Sequence, residues 1–188
     1  NNSSVTGIPN WFKQIGQGYV GAIPIPVIIM IAIVVIGIVL VKKTTFGRNA
    51  LALGGNREAA RVCGVKTSRA SIGVFVFMGA CAAVTALILT GRAASAQTTA
   101  GQGMEMDAIA AVVIGGTPLS GGKGRMAGTL IGCMIVGCIN NGLNLLNVDS
   151  NWQLIAKGLM IVAAVMIDVW SAKISDRRLK SKAEKVGK

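Results

Sequence analysis

The sequence predicts an all-α protein whose helices form a bundle that crosses a membrane several times. Hydrophobic residues make up 52% of the chain and charged residues only 14%, whereas a soluble domain carries about a quarter charged residues. So few charges cannot cover a surface that faces water. The apolar residues also come in long blocks, without the alternation of a half-buried helix or strand. Both observations indicate a chain that lies in lipid.

Four apolar blocks have about the length that a membrane span needs. A helix requires roughly 20 apolar residues to cross a hydrocarbon core of about 30 Å. The blocks are residues 23–41, 72–90, 126–146 and 152–170. Tryptophans flank the last block, and tryptophan suits the headgroup region of a bilayer. We therefore predict four spans within a single membrane domain over residues 1–188.

The basic residues are concentrated in two stretches, although the net charge of +12 first suggests nucleic-acid binding. One stretch is the loop at 44–69, after the first predicted span, and the other is the tail at 171–188. This is the distribution by which membrane proteins keep their basic loops inside the cell. Both stretches are therefore predicted to be cytoplasmic and the segment 1–22 to be an external loop, and no nucleic-acid partner is expected.

A short segment at 104–116, with an apolar stretch at 108–116, interrupts the pattern of long spans. With both basic stretches inside, the chain must cross the membrane once more between residues 91 and 125. The stretch is too short to span unaided, and free backbone groups at membrane depth must be covered by protein or line a water-filled cavity. We predict a short, broken or re-entrant helix beside a wet space.

The loop at 44–69 encodes a short helix of its own. Asn56 is a suitable N-cap, Glu58 falls in the first turn, where the helix dipole favours an acid, and Gly64 suits the exit. Ala59 and Ala60 would give this helix a small face that another protein can approach closely. A plain connecting turn on the membrane surface is the alternative interpretation.

Several short motifs follow one another along the chain between residues 44 and 168. They are Phe46-Gly47-Arg48, Gly54-Gly55-Asn56, Glu58-Ala59-Ala60 with Gly64, Glu105-x-Asp107, Gly115-Gly116-Thr117, Gly128-Thr129 and Asn140-Asn141-Gly142 with Asn144. This series resembles the permease subunits of bacterial ABC importers. It is most similar to the C-terminal half of the ribose and monosaccharide permeases, within the branched-chain/ribose permease superfamily.

The resemblance implies a set of partners. A separate cytoplasmic ATPase subunit would carry ATP and Mg, so this chain would need no cofactor and catalyse no covalent chemistry. An external (periplasmic) sugar-binding protein, a second permease copy and membrane lipid are the other expected partners, and the expected location is the bacterial inner membrane. The residues implied in coupling to the ATPase are Gly55, Asn56, Glu58, Ala59, Ala60 and Gly64.

Polar residues at membrane depth are candidates for the translocation path. The candidates are Glu105, Asp107, Gly115, Gly116, Asn140, Asn141 and Asn144. Amide side chains suit an uncharged sugar because they supply hydrogen-bond donors and acceptors without net charge. Stabilisation by the helix dipole is the structural alternative for the two acids. We expect Lys157 to extend its ammonium toward the headgroups.

Other features bear on packing and on the rival functions. The glycines at 124, 128 and 132, and Gly79 with Ala83, have the spacing that lets helix backbones approach closely in lipid. The chain has no histidine and no Cys-x-x-Cys, so disulfides and metal sites are not expected.

Its first residues indicate a piece of a longer permease. A branched-chain amino acid permease and an assembly subunit that lines no path remain as alternatives.

Overall fold

The computed structural model describes residues 7–149, 151–166 and 169–170, and the predicted basic tail lies outside these residues. The predicted all-α class is confirmed, since helices dominate and the only strands described form one two-residue hairpin, β1 (Tyr19–Val20) with β2 (Ile23–Pro24). The helices are α1 (Asn10–Gln17), α2 (Ile25–Lys43), α3 (Thr45–Gly55), α4 (Arg57–Val62), α5 (Thr67–Ala93), α6 (Met104–Ile114), α7 (Met126–Leu145) and α8 (Asn151–Met166).

Among the described helices, α2, α5 and α7 are long and apolar enough to cross a membrane. Their large apolar side chains point outward, as with Phe75, which is 65% exposed. Such exposure suits contact with lipid or with other membrane helices. Helix α5 runs beyond the predicted block at both ends because residues such as Thr67 and Arg92 continue the helix past the apolar run. The apolar helix α8 is shorter than these three.

The chain divides into two compact units, of which the first covers residues 1–102. In this unit α1 packs against the end of α5 at two glycines, where a side chain on Gly16 would collide with the backbone of Arg92. Gln17 Nε2 donates to the Arg92 carbonyl at 3.0 Å and strengthens the same contact. The hairpin then leads into α2, whose first N–H donates to the carbonyl of Gly18 at 2.9 Å.

Helix α3 occupies the first part of the loop that was predicted to hold only one short helix. Thr44 caps it by accepting from the N–H of Gly47 at 3.3 Å, and Gly47 lies against the backbone of α2. The Phe46 ring covers Gly73 of α5. Helix α3 is thus held against both neighbouring long helices, by a cap and two glycine contacts.

The second compact unit begins at residue 103 and contains α6, α7 and α8. Its core consists of Ala110, Ala111 and Val136, with Met160 and Ile161 packed against them. Helices α6 and α7 approach at backbone distance, since a side chain on Gly132 would collide with the Ala111 carbonyl and one on Gly128 with that of Gly115. These are two of the glycines predicted to mediate packing.

The prediction for Gly79 is not met within the described chain. A side chain on Gly79 would meet nothing within 4 Å, so the Gly79 and Ala83 pattern brings none of the described helices close. Gly116, by contrast, ends α6 with a φ of 78°. That left-handed conformation favours glycine and turns the chain away from the helix, as the glycine pair there predicted.

Candidate functional site

Helix α4 forms as predicted, with both ends fixed by local hydrogen bonds. Asn56 Oδ1 accepts from the N–H of Ala59 at 3.0 Å and caps the start. At the other end Gly64 has a φ of 82°. Its N–H donates to the Arg61 carbonyl, and the next N–H donates to the Ala60 carbonyl, both at 3.0 Å. This pair of bonds is a Schellman motif, which needs glycine at that position. Gly55 ends α3 immediately before the cap.

The two alanines of α4 differ in exposure. Ala59 is exposed, whereas Ala60 is only 5% exposed and lies against its own chain. The expectation that both alanines form one outward face is therefore wrong for Ala60. Ala60 is the one buried residue of α4, so its role is internal packing.

Val62 joins Ala59 and Glu58 on the outward side of α4. It is 87% exposed, the largest exposure among the large hydrophobic side chains described. Val62 lies three residues after Ala59 and four residues after Glu58. Residues at these spacings share a helix face. Sequence analysis missed this residue, although its spacing from Ala59 could have indicated it. We call Glu58, Ala59 and Val62 the outer face of α4.

A polar cluster joins the three helices of the second unit. Asp107 Oδ2 accepts from Lys157 Nζ at 3.0 Å and from Asn140 Nδ2 at 3.2 Å. We call Asp107, Asn140 and Lys157 the polar node, with one residue each from α6, α7 and α8. The Lys157 and Asp107 side chains are 18% and 24% exposed. The expectation that Lys157 extends to the headgroups is thus wrong, because a carboxylate lies within its reach.

Two oxygen atoms of the node have no partner in the part of the chain that the structure describes. They are Asp107 Oδ1 and Asn140 Oδ1, and both are buried. Buried polar atoms in proteins are nearly always hydrogen-bonded, so an orphan acceptor needs an explanation. Asp107 lies in the first turn of α6, and its described hydrogen bonds go to α7 and α8. Stabilisation by the helix dipole stays the structural alternative for its position.

The remaining path candidates lie apart from the node. Asn144 Oδ1 accepts from Gln153 Nε2 at 3.0 Å and makes a separate link between α7 and α8. Glu105 and Asn141 are exposed. Gly115 packs against α7, and Gly116 forms the turn. Of the seven predicted path residues, the structure thus brings only Asp107 and Asn140 into contact, and it adds Lys157.

Comparison with known proteins assigns the family. The model of the family described as branched-chain amino acid transport system / permease component matches residues 2–165. The chain belongs to this permease family. Together with its long apolar helices, this membership makes it a multi-pass membrane protein. No solved structure matches the chain significantly.

The relatives of this permease chain include several sugar transporters. It is 51% identical over 157 residues to the ribose import permease protein of Bacillus subtilis, covering 84% of this chain and 49% of that one. It is 41% identical to a probable ABC transporter permease protein of Escherichia coli, with 82% and 46% covered. It is 40% identical to the xylose transport system permease protein of Haemophilus influenzae, with 80% and 40% covered.

The predicted resemblance to bacterial ribose-type ABC permeases is confirmed by these similarities. The chain spans about half the length of the curated relatives it matches. The described structure therefore presents only part of the surface that such a permease would offer to a substrate or a partner.

Proposed function

We propose that the chain forms part of the membrane path of an ABC importer that carries ribose or a similar monosaccharide into the cytoplasm. The observation that carries the proposal is the 51% identity to a ribose import permease over most of this chain. The polar node supports it, because a carboxylate, an amide and an ammonium group combine donors and acceptors with no net charge. An uncharged, hydroxyl-rich substrate needs such groups.

Coupling to a separate ATPase is assigned in this proposal to the outer face of α4. A short helix with fixed ends presents a rigid surface, and an exposed valine beside an exposed alanine offers apolar contact area. Gly55, Asn56, Gly64 and Ala60 would act by shaping and anchoring the helix. ATP and Mg would bind to the ATPase, and no cofactor to this chain.

The mechanism we propose requires no covalent chemistry on this chain. An external binding protein would deliver the sugar to a pair of permease copies, and nucleotide-driven closure of the ATPases would switch the path between inward and outward openings. A ligand or nucleotide can bias two states only through contacts that differ between them. Helices α6, α7 and α8, which carry the polar node, and helix α4 would supply those differing contacts.

Transport by the complete complex in liposomes tests this proposal. The permease, the ATPase and the binding protein are reconstituted together, and ATP hydrolysis and uptake are measured with ribose, galactose, xylose and leucine. We expect ribose, or another monosaccharide of the panel, to stimulate both. Stimulation by leucine alone would favour the branched-chain amino acid alternative. Binding of the ATPase without uptake of any compound would favour an assembly subunit.

A further inference from the structure

The polar node leaves a definite set of hydrogen-bonding groups unused. Asp107 Oδ2 receives both internal donors, while Asp107 Oδ1 and Asn140 Oδ1 receive none within the described residues. An ammonium has three N–H donors and an amide has two. Lys157 and Asn140 each use one donor on Asp107, so within the described part of the chain the node also has N–H groups left over. Free acceptors and free donors thus stand side by side.

The charge of the node restricts what can bind there. A metal or other cation is disfavoured because the Lys157 ammonium already neutralises the carboxylate and would repel it. An anion is disfavoured because both orphan atoms are oxygen acceptors, one of them on a carboxylate. A neutral hydroxyl group fits, since its O–H donates to an orphan oxygen and its own oxygen accepts from a spare N–H.

We infer that Asp107, Asn140 and Lys157 form a subsite that binds one hydroxyl, or two neighbouring hydroxyls, of a neutral sugar in transit. This inference rests on the proposed function and adds the residues that contact the substrate. Asp107 Oδ1 and Asn140 Oδ1 accept from the sugar, and Lys157 holds the carboxylate and keeps the site neutral. Both oxygens are covered in this structure, so the sugar reaches them in a state where α6, α7 and α8 have moved apart.

The test compares sugars that differ by one hydroxyl in the complete reconstituted complex. Uptake rates of ribose and of its 2-, 3- and 5-deoxy analogues are measured at saturating binding protein, for the wild type and for Asn140→Ala. The same binding protein delivers each sugar to both permeases, so its own preference cancels when the two ribose-to-analogue ratios are compared. Cys138→Ala, at an exposed position of the same helix outside the predicted path, is the matched control.

We expect Asn140→Ala to slow ribose uptake about tenfold, the size of one good hydrogen bond. For at least one deoxy analogue, uptake should already be slow in the wild type and should not fall further in the variant. An equal factor for all sugars would overturn the subsite, because it would mean that Asn140 only supports the fold or binds a fixed water. Unchanged uptake of every sugar by Asn140→Ala would also overturn it.

Two further measurements separate the other causes of failure. The yield of permease that elutes as one species in gel filtration reports folding, and Asn140→Ser replaces the alanine variant if that yield falls. If the wild-type complex transports no sugar at all, the proposed function itself is wrong. That result is distinct from sugar uptake that is insensitive to the node.

Discussion

Lys157 and Asp107 show how one residue pair changes the interpretation of a helix. Each alone, in an apolar region, suggests a charge that must reach water, yet they meet at 3.0 Å. Asp107 and Asn140 could be named from the sequence because polar groups in apolar surroundings are rare. Their contact with Lys157 could not be predicted from the sequence, because it depends on how three helices are oriented about their axes.

The node's ion pair yields the first prediction, on stability. Lys157→Met leaves the Asp107 carboxylate without its cation and should lower the free energy of unfolding by about 2 kcal/mol. This is less than the roughly 3–5 kcal/mol for a fully buried pair, since both side chains are partly exposed. The double variant Asp107→Asn with Lys157→Met removes both charges and should recover most of the loss. The melting temperature of the purified complex measures both.

Additive losses of stability in the two single variants would contradict this interpretation of the pair. The single variant Asp107→Asn completes the comparison. If the double variant loses as much in melting temperature as Asp107→Asn and Lys157→Met lose together, the residues do not interact energetically. Gln153→Ala, which removes the separate hydrogen bond to Asn144, is a neighbouring control without a charge.

At the scale of single elements, α4 was predictable because its signals are local. Asn56 and Gly64 act on atoms within a few residues of themselves. Which side of α4 faces outward was not predictable, because that depends on where α3 and α5 pack. Helix α3 was missed although Thr44 is a good N-cap residue, since its packing glycine, Gly47, weakens the helical pattern.

The different exposures of the two alanines give the second prediction. Ala59→Trp should abolish co-purification of the ATPase while the permease still elutes as one species, because the new ring projects from the outer face of α4. Ala60→Trp should reduce the yield of folded permease itself, because Ala60 is buried against its own chain. Co-purification in detergent, with yield and gel filtration, separates the two effects. Normal ATPase binding by Ala59→Trp would show that α4 is only a connector.

The close contact between α6 and α7 gives the third prediction. Gly132→Ala places a methyl group against the Ala111 carbonyl, and such overpacking costs typically 1–3 kcal/mol. Gly137→Ala is the matched control on the same helix, because a side chain there meets nothing within 4 Å. We expect a lower melting temperature for Gly132→Ala only. Equal melting temperatures for the two variants would show that α6 and α7 are not in backbone contact.

At the scale of the whole molecule, the sequence already indicates how the chain is oriented. Blocks of apolar residues and clusters of basic residues are properties of long segments. A topology predicted from them therefore still holds if each helix end is misplaced by a few residues. The predicted third span, 126–146, agrees with α7 to within one residue. The predicted fourth span includes residues beyond those described, and the orientation stays a prediction.

Cysteine labelling provides the fourth prediction, which tests that orientation. Cys63 follows α4 and is exposed. In a variant that keeps Cys63 and replaces the other three cysteines by serine, a reagent that cannot cross membranes should label inverted vesicles and leave intact cells unlabelled. A permeable reagent is the control for reactivity. Labelling of Cys63 in intact cells would place the loop at 44–69 outside and overturn the predicted topology.

The ion pair of the polar node also sets an order of events during synthesis. Lys157 follows Asp107 by 50 residues. At a translation rate of about 5–20 residues per second, the lysine leaves the ribosome roughly 3–10 s after the aspartate. During that interval the carboxylate has no ammonium partner, and an unpaired charge is expensive in lipid. We therefore expect helix α6 to stay near water, and to complete its insertion only after the segment that carries Lys157 has been translated.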